Sequence, residues 1–317
     1  MASLYSLFHD ISTRRAEEAA MRFEPLEVAA GQPIATEGEV NDAMLFVERG
    51  EVIVIAGGFE VARMGAGSII GEIGLFTHAV RTATVVAAED TVLQTLSRRS
   101  FAELRNAGNP IAFRIELRAV EQLASRLRQV TADIVQVATE TPSMLQSARC
   151  TSEYWGYSNP LPPTRIHTAL AAATAFYGSP PKALERLVGL IEARTFRPGE
   201  TLASDGRDDG PMYVLAHGQI DMVAPVDGRQ VRIATLDPGE VFNLMQHVDE
   251  KPRPVAWVAR EGVTVLAIHQ NDVVKMLRTH DLPGSVMRIA MIRSLSDRVN
   301  QANATFALAR LLNPAAE

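Results

Sequence analysis

Along the chain, short β-branched runs punctuated by glycine are enclosed between stretches with helical spacing of apolar residues. In the first part the pattern predicts an opening amphipathic helix. Strands follow near Leu26–Ala29, Met44–Glu48, Glu51–Ala56, Glu60–Met64, Ala83–Ala88 and Thr91–Ser97, and then a closing helix from Pro110 to Ala138. Short strands with glycine turns at this spacing suggest a small antiparallel barrel or jelly roll. The fold class is α+β, mainly β.

The closing helix places Phe113, Leu117, Val120, Ala124, Leu127, Thr131, Ile134 and Ala138 in alternating steps of four and three. Ile292, Leu295, Val299, Ala302, Phe306 and Ala309 repeat that spacing near the end of the chain. Such stripes either pack on their own barrels or pair as a coiled-coil seam between two chains, a homodimer through the closing helices.

The chain also repeats itself. Phe8, Glu24, Gly31, Gly38 and Gly50 recur 168 residues later as Phe176, Glu192, Gly199, Gly206 and Gly218. Beyond the next hairpin the offset becomes 172, pairing Gly67 with Gly239 and Arg81 with Arg253. The added residues fall in "APVDGRQVR", a turn composition that tolerates insertion. The reading is two copies of one jelly-roll domain, residues 1–140 and 165–317, each flanked by N-terminal helices and a long C-terminal helix. Residues 141–164 form a linker with "NPLPP" and the aromatics Tyr154, Trp155 and Tyr157, which dock on a neighbouring domain or bind a partner.

Composition narrows the function classes. With 31 Lys plus Arg against 37 Asp plus Glu, the net charge of −6 argues against affinity built on broad phosphate-backbone neutralisation. The single cysteine, Cys150, cannot form an internal disulfide, and no stretch has the apolar length of a membrane span, so a cytoplasmic location is expected. The histidines are dispersed, and neither G-x-S-x-G nor H-E-x-x-H occurs, so no metal site or catalytic constellation is visible. "GAGSIIG" at Gly65–Gly71 imitates a dinucleotide loop, but no long helix follows, and it reads as a barrel turn. Arg14-Arg15-Ala16-Glu17 reads as a solvated helix face.

The informative segment is "GEIGLFTHAVRTATV", residues 71–85. It sets the Glu72 carboxylate and the Arg81 guanidinium nine residues apart around a short helical turn. Glycine before Glu72 lets backbone approach a ligand, amides at the turn near Gly74 and Leu75 suit an anion, and Arg81 can grip a phosphate with two N–H groups. A carboxylate beside them suits a sugar hydroxyl. The alternative is a surface Glu72–Arg81 ion pair, worth at most about 1 kcal/mol.

The pattern G-E-[IL]-x-L-x6-R-[TSA]-A-x-V, within a barrel and before long helices, resembles the phosphate-binding cassette of cyclic-nucleotide-binding domains. That is the family of the catabolite activator protein and the regulatory subunits of cyclic-AMP-dependent kinase. The resemblance covers the whole first copy and, more weakly, the second. It implies a ligand site of Gly71, Glu72, Ile73, Gly74, Arg81, Thr82 and Ala83. In it Glu72 accepts the ribose 2′-hydroxyl, Arg81 holds the cyclic phosphate, and the amides of Gly74 and Thr82 complete the cradle. Thr82 permits cGMP without excluding cAMP.

The second copy departs from that pattern. Asn243 and Leu244 stand where the first has Gly71 and Glu72, and Arg253 is followed by Pro254, which has no N–H to offer. That site, with Arg253 as its remaining cassette residue, is expected to be empty, weak or adapted to another ligand. The resemblance implies a non-enzymatic cytoplasmic receptor for cAMP or cGMP, with no further cofactor, that signals to an unidentified protein partner by moving helices. The alternatives are a subunit restraining an enzyme in trans, or a scaffold whose barrels bind no nucleotide. No DNA-reading helix follows either copy in this sequence, and the two copies with their linker account for almost all of it.

Overall fold

The computed structural model describes residues 10–40, 42–77, 80–140, 156–206, 210–226, 229–249, 251–252 and 254–312. The chain divides into two compact units, up to Gln122 and from Leu123 onward. The boundary falls inside the first closing helix.

The first unit opens with α1 (Thr13–Ala20), followed by β1 (Glu24–Val28), β2 (Pro33–Ala35), β3 (Ala43–Arg49), β4 (Glu51–Ala56), β5 (Phe59–Gly65) and β6 (Ile69–Ile70). Then come the short helix α2 (Glu72–Thr77), β7 (Thr84–Ala87), β8 (Thr91–Ser97), α3 (Arg98–Asn106) and the long α4 (Pro110–Glu140). The strands form two antiparallel sheets, ordered β1-β8-β3-β6 and β2-β7-β4-β5. Val47 and Leu93 from one sheet meet Val52, Val54 and Val85 from the other in a shared core. The jelly-roll expectation therefore takes the form of two facing sheets, and among the described residues no ladder closes them into a continuous barrel. "GAGSIIG" is a turn into β6, as read from sequence.

The second unit repeats this strand for strand. After β9 (Tyr157–Ser158), α5 (Pro163–Ala172), a 3-10 turn at Thr174–Phe176 and α6 (Pro181–Val188) come β10 (Ile191–Phe196), β11 (Thr201–Ala203), β12 (Met212–His217), β13 (Ile220–Val226) and β14 (Arg229–Leu236). β15 (Val241–Phe242), α7 (Gln246–Asp249), β16 (Ala256–Ala259), β17 (Val263–Ile268), α8 (Gln270–Arg278) and α9 (Leu282–Leu312) complete it. The sheets run β15-β12-β17-β10-β9 and β11-β16-β13-β14, the first unit's order with one strand added. The added strand is made by the end of the stretch read as linker. Tyr157 pairs with Thr195 in the ladder, and Arg197 lies 4.8 Å over its ring, so this aromatic docks. Cys150, Tyr154 and Trp155 lie outside the described residues.

The repeated glycines have a steric cause. Gly50 and Gly218 hold φ of +95° and +83° at matching strand ends, and a Cβ on them would lie 2.5 Å from Thr91 Oγ1 and 2.6 Å from the Gly262 carbonyl. Arg15 is not a plain solvated residue: its guanidinium donates 2.7 Å to the Gly108 carbonyl, anchoring α1 beside the α3–α4 turn.

Each closing helix is fastened at the strand that leads into the motif segment, by different chemistry. In the first unit the Gln122 side chain accepts from the Ile69 amide at 2.8 Å and donates back to the Ile69 carbonyl. In the second, Arg298 donates to Glu240, one residue before β15, and burial lowers its pKa to about 10. The seam residues Ile292, Leu295, Val299, Ala302, Phe306 and Ala309 are all buried within the chain. Among the described side chains of α9, the large apolar residues Leu282, Leu308 and Leu311 are exposed. The half of α4 beyond Gln122 belongs to the second unit. There Arg128 donates to the Pro252 and Lys251 carbonyls at 2.6 and 2.9 Å, and Val135 packs on Val226 and Val231.

Gln122→Ala leaves the paired backbone groups of Ile69 without their side-chain partner. It is expected to lower stability by about 1–3 kcal/mol in a chemical melt and to speed exchange of the Ile69 amide. Gln122→Glu, which keeps the acceptor and loses the donor, should fall between.

Candidate functional site

The motif segment folds as a turn, the short helix α2 and an irregular return to β7. Gly71 supplies the turn with φ of +77°, and its missing Cβ is essential, because one built there would lie 1.8 Å from Arg81 Nη1. Glu72, the first residue of α2, is 2% exposed and Arg81 6% exposed. The surface ion pair is thereby excluded: both charges are interior.

The Arg81 backbone is pinned on both sides, its amide donating to the Glu39 carbonyl and its carbonyl accepting from Gly38, each at 2.8 Å. Its Nη2 donates 2.9 Å to the Ala43 carbonyl at the start of β3. Nε and Nη1 are buried and have no hydrogen-bond partner. Burial pulls the guanidinium pKa below the usual arginine value, while the Glu72 and Glu39 charges oppose that shift. A buried cation with two unspent N–H groups is destabilised until an acceptor arrives, and an anion with paired oxygens fits best.

Other expected residues fall as follows. Gly74 is buried within α2, and Ala83 is buried on the approach to β7. Thr82 is half-buried beside Arg81, and Ile73 lies on the first turn of α2. The Leu75 amide is corrected: it donates to the Gly71 carbonyl at 3.2 Å and is already used by the helix. Arg253, His78 and Ala79 lie outside the described residues. Among the described residues no group of three His, Cys, Asp or Glu is placed to hold a metal. No described helix is long and apolar enough to cross a membrane.

Sequence reasoning missed Arg98, which donates to the Gly74 carbonyl and so ties α2 to the first turn of α3. Ser97 caps that helix, its side chain accepting 3.1 Å from the Ser100 amide. The signal available was the cap followed by paired arginines in "SRRS". The Ala43 carbonyl has no sequence signal at all.

The matching segment of the second unit is built differently. Asn243 keeps the left-handed turn with φ of +61°, and Leu244 is buried where Glu72 stands. Gln246, in Gly74's place, donates 2.8 Å to the Asn243 carbonyl and lies 3.1 Å from the His247 ring. The change from Glu to Leu expected from sequence thus removes the interior carboxylate.

The family model for the cyclic nucleotide-binding domain matches residues 25–107 and 193–280, more than half of the chain. A "cAMP-dependent protein kinase regulatory subunit" of Yarrowia lipolytica is 22% identical over 87% of this chain and 62% of its own length. A "Cyclic AMP receptor protein" of Thermus thermophilus is 29% identical over 38% of this chain and 57% of its own. This chain thus spans less than two thirds of either relative. Among solved structures, the regulatory domain of Toxoplasma gondii PKA with cAMP is 17% identical, covering 89% of this chain and 88% of that one, with a TM-score of 0.35.

Gly71→Ala forces a Cβ into the Arg81 guanidinium at a strained φ. It is expected to cost about 1–3 kcal/mol in a chemical melt, and combining it with Arg81→Ala should recover part of that loss.

Proposed function

Because the chain belongs to the cyclic nucleotide-binding domain family, we propose that its first unit is a receptor for a 3′,5′-cyclic mononucleotide, cAMP or cGMP, and acts through a partner protein rather than as an enzyme. The observation that carries this reading is the buried Arg81 guanidinium with Nε and Nη1 unpaired. A cyclic phosphate offers its exocyclic oxygens to that edge, and the Arg81–Ala43 bond holds the fork in place while they arrive. The amides of Gly74 and Thr82 complete the cradle. Glu72, interior and at the head of α2, accepts the ribose 2′-hydroxyl.

The output follows from what is tied to the cradle. Arg98 links the Gly74 carbonyl to α3, and Gln122 links β6 to α4. A ligand that draws α2 toward its phosphate therefore pulls on both helices, and it shifts their arrangement only as far as it binds one arrangement better. A regulatory subunit that restrains a kinase in trans is the specific form favoured by the Yarrowia relative, whose match runs through both copies. The mild negative charge agrees with a phosphate met by one interior arginine.

Calorimetry with cAMP and with cGMP tests this. Arg81→Ala should weaken binding by about a hundredfold, and Arg81→Lys should recover little, because an ammonium cannot present the two-pronged edge. Absence of heat from both nucleotides with the unaltered protein overturns the reading. Glu72→Ala should lose about tenfold, and the 2′-deoxy nucleotide should lose a similar factor against the unaltered protein and nothing further against Glu72→Ala.

A further inference from the structure

The two units fill the space between their sheets with different side chains. Among the described residues, the core of the first unit contains no ring: Leu45, Ile70 and Val85 belong to it, and Val28 packs against it. One repeat on, these positions are Tyr213, Phe242, Trp257 and Phe196, all aromatic and each at most 3% exposed. The ladders give the same equivalence. Leu45 faces Ile70 as Tyr213 faces Phe242, and Ala35 faces Val85 as Ala203 faces Trp257. Val28 faces Thr91 as Phe196 faces Val263.

The four rings form one cluster. Tyr213 and Phe242 stack with centroids 5.1 Å apart, Trp257 lies 5.1 Å from Phe242, and Phe196 meets Tyr213 edge-on at 6.5 Å. The Tyr213 hydroxyl donates to the Leu202 carbonyl at 3.4 Å, so its polar atom is spent inside the unit. Phe242 immediately precedes the turn residue Asn243, as Ile70 precedes Gly71, which sets the rings directly behind the turn that matches the motif segment. Asn243 Nδ2 in turn donates 2.7 Å to the carbonyl of Pro211, which stands in Ala43's place one repeat on. Outside this space the rings change in the opposite sense. Phe46, Phe76 and Phe101 of the first unit become Val214, Val248 and Val273. Phe76 and Phe101 meet edge-on at 5.2 Å and join α2 to α3, a contact that the two valines cannot reproduce.

We propose that the second unit carries its own occupant. Phe196, Tyr213, Phe242 and Trp257 fill the space behind its turn, so that this unit takes no nucleotide there and keeps one arrangement. Cutting the cluster back opens a cavity for a flat, uncharged aromatic molecule. Close-packed rings leave no room for a ligand unless one of them is displaced. The inference is independent of what the first unit binds.

The test uses the full chain carrying Arg81→Ala, which removes the first unit's guanidinium, and follows amide exchange over β12, β15 and β16. Added separately at low millimolar concentration, cAMP, cGMP and indole should each leave that exchange unchanged. Trp257→Ala in the same background should lower the melting midpoint by about 10 °C. Indole should then recover at least about 2 °C and slow exchange in β16. Phe242→Ile, a milder cut that installs the first unit's residue, should show the same response to indole on a smaller scale. The proposal is overturned if either nucleotide, or indole, protects these strands while the cluster is intact. It is equally overturned if indole does nothing for both truncated variants, the rings then filling no space of their own.

Discussion

A cation held inside a protein with part of its hydrogen-bonding edge unspent is the constraint around which the first unit is arranged. Arg81 could not remain there unassisted, and its surroundings answer each need in turn. The turn residues Gly38 and Glu39 fix its backbone, Ala43 occupies one nitrogen, and the Glu72 and Glu39 charges offset part of the cost of burial. Gly71 clears the space that the guanidinium fills. Arg98 and Gln122 then fasten the neighbouring segments to helices, so that the strained group and the helices form one mechanical unit.

The second unit builds the matching turn from different side chains. One substitution, glycine to asparagine at the turn, puts a side chain where the guanidinium edge would lie and captures the same strand-end carbonyl. Beside it, Leu244 puts packed apolar surface where the first unit has the interior Glu72 carboxylate. The sheets that carry the two turns keep the same strand order.

Much of this was legible in the chain. The glycine repeat marked the two copies, with Gly50 and Gly218 sterically forced, and the motif segment singled out Glu72 and Arg81, the two charges that lie in the interior. In the first unit the three-residue β2 and the two-residue β6 were missed, since so short a run has no periodicity to detect. The partners of Arg81 and Asn243 were illegible for another reason: they are backbone carbonyls, which every residue carries. Long helical stripes were read as possible seams between chains, yet the same spacing serves a helix packed within its own chain, and burial of Leu295 and Val299 shows that use. Tyr157 sat in a polar, proline-rich stretch, and only its pairing with β10 distinguishes a strand from a linker.

The fastening at Gln122 has one more meaning. β6 is the outermost strand of its sheet, and a side-chain amide bonding one residue through both its N–H and its C=O does what a neighbouring strand would do. The closing helix therefore covers the edge of the sheet. Whenever α4 leaves β6, a short length of unsatisfied strand edge is uncovered at the same instant, open to water or to any extended segment that can add to the sheet. In this fold the hold on the closing helix and the satisfaction of the sheet edge are one and the same pair of hydrogen bonds.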